Sequence, residues 1–405
     1  MKKIHYGWVV CLGCALLLFC TSGLAVNAFT IYQPYILKQN NFSNAQSSAI
    51  ITVRNLFSFI AMFLTGIYYK KLSLRVGMTV AGMLTAMGFV VFGVAKNYSM
   101  YCLGAVAVGL GYGLGTMVPI ATLLGRWFIS KRTFAISICS AITGLSTLGI
   151  PSLLTLMIES MGLRITFILE ACFIAVLTVI SFLLIRNVPA EKGVEPYHLG
   201  EEITPLKNVR GGNGLKKRHW VLLVPMLLLL GAMTNVGYSH LSVLVSAAGY
   251  DAHMTALAIT VSGVMLTFSK CGYGWISNYV STYKSNWLFG AILTSGMLLC
   301  CFIGIGAPVM LGAMCMYGGG LALTTVGLTA WAGDLSRPEQ YDKTVCYFQL
   351  GYAAGGLAFS TLPGILADCF DGSYVPAYVF FLACSVFVVG TIQWIYRHTA
   401  NLNQD

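Results

Sequence analysis

The sequence predicts an all-α membrane protein, with twelve transmembrane helices in two six-helix bundles and both chain termini cytoplasmic. Three observations carry this. Of the 405 residues, 57% are hydrophobic and only 9% are charged, against about 25% charged in a water-soluble domain. Long apolar runs recur along the chain, each near the roughly 20 residues a helix needs to cross a bilayer core. One polar stretch divides those runs six and six. The runs are continuous rather than alternating, which argues against a membrane barrel.

Residues 7–32 form the first run. Lys2 and Lys3 precede it and give it the look of a signal peptide. It is too long for a signal core and lacks a small-residue cleavage site, so it reads as a retained span. Runs 45–69 and 77–95 flank a short basic loop holding Lys70, Lys71 and Arg75. Run 98–124 carries Gly109, Gly111, Gly113 and Gly115, and small residues let helices approach closely in lipid. Runs 133–158 and 163–185 complete a first bundle, 1–186. Segment 187–219 then holds Pro189, Pro196, Pro205, Gly211, Gly212 and Lys216-Lys217-Arg218. It reads as a cytoplasmic linker with room for a helix lying on the anionic leaflet. The second bundle, 220–405, contains runs 220–247, 254–276, 287–305, 308–332, 344–367 and 374–396. Gly318, Gly319 and Gly320 in its fourth run echo the glycines of the first bundle's fourth run. Two similar six-helix halves describe a carrier with its site near the midplane.

The net charge of +11 invites a nucleic-acid reading, but the placement of the charges opposes it. With the N-terminus in the cytoplasm, nineteen Lys and Arg fall on inner segments and only Lys38, Lys96 and Arg164 on outer loops. Arg54 and Lys270, both inside apolar runs, complete the 24. Such a bias orients a membrane protein and explains the basic balance without a polyanionic partner. The expected location is a cell membrane, plasma or bacterial inner. Nearly all of the 13 cysteines lie within the runs, where Cys packs as a small apolar residue. Cys11 and Cys14 form a CxxC with no second pair elsewhere, so no metal or redox cofactor is expected.

Several local patterns resemble one family. Gly125-Arg126-Trp127-Phe128-Ile129-Ser130-Lys131-Arg132, running into Ala135, Gly144 and Gly149, is similar to the fourth-to-fifth-span junction of the major facilitator superfamily. It resembles especially the branch of oxalate/formate antiporters and monocarboxylate transporters. His5-Tyr6-Gly7-Trp8-Val9-Val10 resembles that branch's first-span start. Pro189-x-x-x-Gly193-x-x-Pro196 resembles its linker after span six. Lys270, Gly274 and Asn278 match the spacing of its basic-residue, Gly, Asp/Asn signature in span eight. The chain also departs from the pattern. Lys70 stands where the loop motif has Asp, and Lys270 where Arg is usual. Leu266 stands where proton-coupled monocarboxylate transporters often have Asp, Asn27 where some place a cation, and Gln349-Leu350 near where the oxalate type has Lys. The resemblance implies the major facilitator fold and transport of a small organic anion, a monocarboxylate, by alternating access. The coupling the resemblance implies is antiport or proton symport, and the missing carboxylate at Leu266 tilts that expectation toward exchange or another proton site such as Glu170 or His240.

Candidate residues follow from the cost of charge at membrane depth. Lys270 is the candidate carboxylate-binding cation. Its ammonium is a flexible point charge without the guanidinium's bidentate grip. Arg54 offers a second attraction or an outer gate, or else an ion pair with Glu170 at similar depth. Glu170 and His240 are the candidates for carrying a proton. Asn27, Tyr32, Tyr112 and Gln349 are neutral polar groups placed to orient a substrate, with His240 as a further contact. Asp334 and Arg337, in a charged cluster with Glu339, Asp342 and Lys343, are candidates for a cytoplasmic gate. No nucleophile–base pair, Walker loop or zinc motif is present, so no catalytic residue is assigned and the chain is not read as an enzyme. The expected partners are a small organic anion, protons or a counter-anion, and the lipid bilayer, with the chain acting as a monomer and no nucleic acid. Two alternatives stay open: an exporter of a hydrophobic or cationic compound, and a membrane carboxylate sensor that moves nothing.

Overall fold

The computed structural model describes residues 5–129, 132–197, 215, 217–324, 326–337 and 340–399. Ser130, Lys131, most of the second half of the 187–219 segment, Glu339, and the side chains of Arg132, Asn278 and Asp342 lie outside them. Among the described residues helix is the only extended regular structure, and the sole strand-like pairing is an isolated bridge between Phe128 and Tyr197.

The chain divides into two compact units, Met1–Phe42 with Ile50–Pro205, and Ser43–Ala49 with Leu206–Asp405. In the first lie α1 (Tyr6–Leu18), α2 (Tyr32–Asn40), most of α3 (Asn44–Lys71), α4 (Leu74–Val94), α5 (Tyr98–Leu114), α6 (Met117–Trp127), α7 (Arg132–Leu145), α8 (Ile150–Met161) and α9 (Leu163–Leu184). In the second lie α10 (Lys217–Gly231), α11 (Gly237–Ser239), α12 (Leu241–Ala247), α13 (Ala252–Tyr279), α14 (Thr282–Cys301), α15 (Ala307–Gly320), α16 (Val326–Leu335), α17 (Tyr341–Ala358), α18 (Leu362–Cys369) and α19 (Val375–Thr399). Polar residues in the short loops start many of them. Ser73 caps α4 by accepting from the Val76 N–H, Asn97 caps α5 at Met100, and Asp251 caps α13 at Met254. Such caps satisfy amide groups that the first helical turn leaves unpaired.

Ten helical stretches among the described residues are long and apolar enough to cross a membrane. The other two sequence runs are helical in a different form. The fifth is broken into α7 and α8, joined at Gly149 with φ 78°, and Pro151 sits in the first turn of α8. That left-handed backbone suits glycine, and proline is tolerated where no intrahelical partner is needed. The ninth is α14, 20 residues whose first turns carry Lys284, Ser285 and Asn286.

Four apolar runs contain irregular helix at corresponding places in the two units. The first run passes from α1 into a π-helical segment, Phe19–Asn27, and the seventh from α10 into another, Ala232–Val236. The fourth run breaks between α5 and α6 at Gly115-Thr116, and the tenth leaves α15 through a 3₁₀ turn, Leu321–Thr324. Discontinuous helices at membrane depth persist only inside protein or along a cavity, and they line the sites of carriers with repeated halves.

Each unit has its own packed interior. In the first, Tyr32 stacks on Phe167 at 4.2 Å between ring centroids, and Phe29, Phe89 and Phe92 pack around the pair. In the second, fully buried Asn286 accepts hydrogen bonds from the Tyr273 hydroxyl at 2.6 Å and the Trp331 indole at 2.8 Å. That single amide oxygen ties α13 and α16 to α14.

Candidate functional site

In the second unit the site is built on α13. Phe268 and Trp275 are 69% and 65% exposed, and Cys271 is exposed beside them. At one residue per 100° these three share a face, and Lys270 lies roughly 130° from its centre. Lys270, Gly274 and Ser277 instead share a second, partly exposed face of small and polar residues. A Cβ built on Gly274 would meet nothing within 4 Å, so open space adjoins Lys270 one turn along. Lys270 forms no hydrogen bond or ion pair with any described residue. Among the described residues the ammonium thus has open space one turn along and no counter-charge.

Helix packing fixes that position. A Cβ on Gly318 of α15 would overlap the Ser262 backbone of α13, so only glycine allows this approach. Ser269, next to Lys270, reaches the Gly318 carbonyl at 3.4 Å. The glycines of the tenth run thus hold α13 in place while Lys270 points elsewhere.

In the first unit the same device sets Arg54. Gly109 and Gly113 of α5 lie against the backbone carbonyls of Arg54 and Ser58, where a Cβ would collide. Arg54 is 3% exposed. Its Nη1 donates to the Ala25 carbonyl in the π-helical segment at 3.2 Å and its Nη2 to Asn55 Oδ1 at 3.4 Å. Its Nε has no partner, and the guanidinium lies 5.7 Å from the Phe29 ring centroid.

The ion pair between Arg54 and Glu170 that the sequence left open does not form. Glu170 is 4% exposed, its Oε2 accepts from the Tyr32 hydroxyl, and its Oε1 has no partner. Tyr32 is fully buried in the aromatic interior. It therefore serves Glu170, whereas the sequence had set it among groups that orient substrate. The result, among the described residues, is a buried cation with no carboxylate and a buried carboxyl with no cation in one bundle.

The remaining candidates are scattered. Asn27 ends the first π-helical segment and donates to the Thr143 carbonyl at 3.3 Å. Tyr112 on α5 and Gln349 on α17 are partly exposed. His240 is fully buried and engaged at both ring nitrogens. Its Nδ1–H donates to the Val236 carbonyl at 2.9 Å, leaving Nε2 to pair with Ser48 Oγ at 2.9 Å. Asp334 accepts from the Tyr396 hydroxyl at 2.9 Å, within the second unit, and Arg337 is exposed.

Sequence reasoning missed Tyr317. Its hydroxyl donates to the Met233 carbonyl at 3.0 Å and approaches that of Thr234 at 3.3 Å, both in the second π-helical segment. Arg54 does the corresponding service at Ala25 in the first. The available signal was weak: small and polar residues, Thr21-Ser22-Gly23 and Thr234-Asn235, inside otherwise apolar runs.

Comparison with known proteins follows this geometry. The sequence profile of the Major Facilitator Superfamily matches residues 14–360. Monocarboxylate transporter 12 of Rattus norvegicus is 20% identical over 343 residues, covering 77% of this chain and 70% of that one. Monocarboxylate transporter 13 of Bos taurus is 25% identical over 330 residues, covering 78% and 73%. Among solved structures, the nucleoside transporter NupG superposes with a TM-score of 0.75 at 12% identity, covering 97% of this chain and 100% of that one. At that identity the superposition speaks for the fold alone.

Proposed function

The chain belongs to the Major Facilitator Superfamily, and from that premise we propose that it is a secondary active transporter of a small organic anion. The anion is a monocarboxylate, and the carrier works by alternating access as an antiporter or a proton symporter. The observation that carries this reading is Lys270: a cation inside an apolar span, turned from the exposed apolar face, beside open space and without a counter-charge among the described residues. A charge at that depth is costly and is retained where it marks a pathway. The names of the relatives point to the same substrate class.

Lys270 takes the carboxylate. Arg54 supplies a second attraction for the anion within its own bundle. Asn27, Tyr112 and Gln349 offer hydrogen bonds that orient it, and Asp334 and Arg337 take part in a cytoplasmic gate. The deciding experiment is uptake of labelled carboxylates into vesicles carrying the purified protein, with a pH gradient or with a trapped counter-anion. Carboxylate uptake under one of these gradients supports the reading. Binding without flux makes the protein a sensor, and flux of only cationic or neutral compounds makes it an exporter.

Two predictions arise here. Gly274→Leu places a side chain in the open space beside Lys270 and replaces a poor helix former. The protein is expected to keep its thermal stability while uptake falls about tenfold or more, the equivalent of about 1.4 kcal/mol of lost anion binding. Unchanged uptake would show that this space is not on the path. Glu170→Gln keeps the shape of the buried carboxyl and removes its proton exchange. If Glu170 carries the coupled proton, uptake driven by a pH gradient is lost and anion-for-anion exchange is retained. If both modes persist, the carrier is an exchanger or couples its proton elsewhere.

A further inference from the structure

A crevice of ≈ 520 Å³ lies between α10 and α17 in the second unit, and none of the transport candidates lines it. Its chemistry is graded. Val224, Leu227 and Gly351 form an apolar floor, where Gly351 sits close enough to Leu227 that a Cβ would come within 3.0 Å. Gln340, Lys343 and Thr344 form a polar mouth. Trp220 and Tyr347 stand between, their ring centroids 5.9 Å apart. Lys217, exposed, precedes Trp220 by three residues and so stands on the same face one turn nearer the mouth. No carboxylate lines the crevice among the described residues.

The first unit closes the corresponding place. α1 also opens with a tryptophan in its first turn, Trp8. There Tyr197 packs on Trp8 at 5.9 Å and on Phe128 at 5.7 Å, and its backbone N–H donates to the Trp127 carbonyl at 2.8 Å. His5 adds a bond to the Glu195 carbonyl at 2.9 Å. The chain that follows the first bundle thereby lies over its opening tryptophan. In the second unit no described segment does this. Tyr347 is 55% exposed and Val224 48% exposed, so the crevice opens sideways from the helix pair.

We propose that this crevice is a binding site for an anionic phospholipid. The phosphate sits between Lys343 and Lys217 with the Gln340 amide as a further donor, and one acyl chain runs along Val224 and Leu227. Tryptophan and tyrosine favour the headgroup boundary, and basic pockets between spanning helices on the cytoplasmic side recognise anionic headgroups. The charge bias of the loops assigns this end of α10 and α17 to that side. A soluble anion would use the mouth but gain nothing from the apolar floor. A zwitterionic lipid would meet two lysines with no carboxylate among the described lining residues to take its own cation.

The test is lipid retention by the full-length protein. Purified protein is exposed to phosphatidylglycerol and phosphatidylcholine of the same acyl chains, and bound lipid is counted by native mass spectrometry, with thermal unfolding as a second readout. Phosphatidylglycerol is expected to be retained several-fold over phosphatidylcholine and to raise the melting temperature. Lys217→Gln/Lys343→Gln should cut that preference about tenfold, and Val224→Trp, which fills the floor, should displace the lipid while leaving both lysines. Equal retention of the two lipids, an unchanged preference in the double variant, or retention surviving Val224→Trp overturns the proposal. So does displacement by glycerol phosphate or by a transported carboxylate at the concentrations at which these bind. These outcomes are independent of the transport assay, so the lipid site and the substrate class fail or stand separately.

Discussion

Lys270→Gln is expected to lower carboxylate uptake by about thirtyfold or more, with normal expression and an undiminished melting temperature. Truncating one partner of a desolvated charge pair costs about 2–5 kcal/mol, and 1.4 kcal/mol is about a factor of ten. Gln keeps a polar side chain of similar length but cannot balance a carboxylate. The apo protein loses nothing by the change, because Lys270 has no partner among the described residues whose bond would be broken. Lys270→Arg is the companion variant. It keeps the charge and adds a bidentate fork, so it should restore part of the uptake and shift the preference among carboxylates. Full uptake in Lys270→Gln would move the anion site away from α13. A collapse in stability would mean that the ammonium is a structural element.

The chain's helices were legible because bilayer and helix impose similar lengths on the apolar runs, and each predicted run is mostly helical among the described residues. What the runs conceal is their internal breaks. Nothing in the hydropathy of residues 133–158 distinguishes a continuous span from α7 and α8. The break rests on Gly149 and Pro151, which an apolar helix often tolerates in lipid. The two π-helical segments leave even less trace, since a shift of the hydrogen-bond register changes no residue type.

The candidate site was legible in its charges and illegible in its pairings. Lys270 and Arg54 stand out because ionised groups are rare at depth, and that rarity is a property of the sequence. Whether Arg54 meets Glu170 depends on side-chain direction. Tyr32 settles it by donating to Glu170 from within the aromatic interior, a contact set by how α2 and α9 face each other. His240 shows the same limit. Its depth suggests function, yet both ring nitrogens are engaged by Val236 and Ser48, so its hydrogen-bonding capacity is already taken up.

Arg54→Met is expected to stabilise the empty protein while impairing transport. Arg54 is buried, with no carboxylate against it and one N–H unpaired. Replacing buried ionic groups by apolar side chains of similar volume is often stabilising, by about 1–4 kcal/mol. Against that stand the bonds to the Ala25 carbonyl at 3.2 Å and to Asn55 Oδ1 at 3.4 Å, both long, and their loss offsets part of the gain at about 1 kcal/mol for each ordinary hydrogen bond. The balance predicts a modestly higher melting temperature in detergent without substrate. Uptake should fall at least about tenfold, and the stabilisation that the wild-type protein gains from added carboxylate should shrink, since a ligand stabilises only through the state it binds. Thermal unfolding with and without carboxylate, alongside vesicle uptake, reads all three effects on one preparation. A lower melting temperature with unimpaired uptake would make Arg54 an anchor for the π-helical segment of the first span. The predicted combination, sturdier and slower, would mean that the chain tolerates an unbalanced charge in its interior because the transported anion supplies the missing sign.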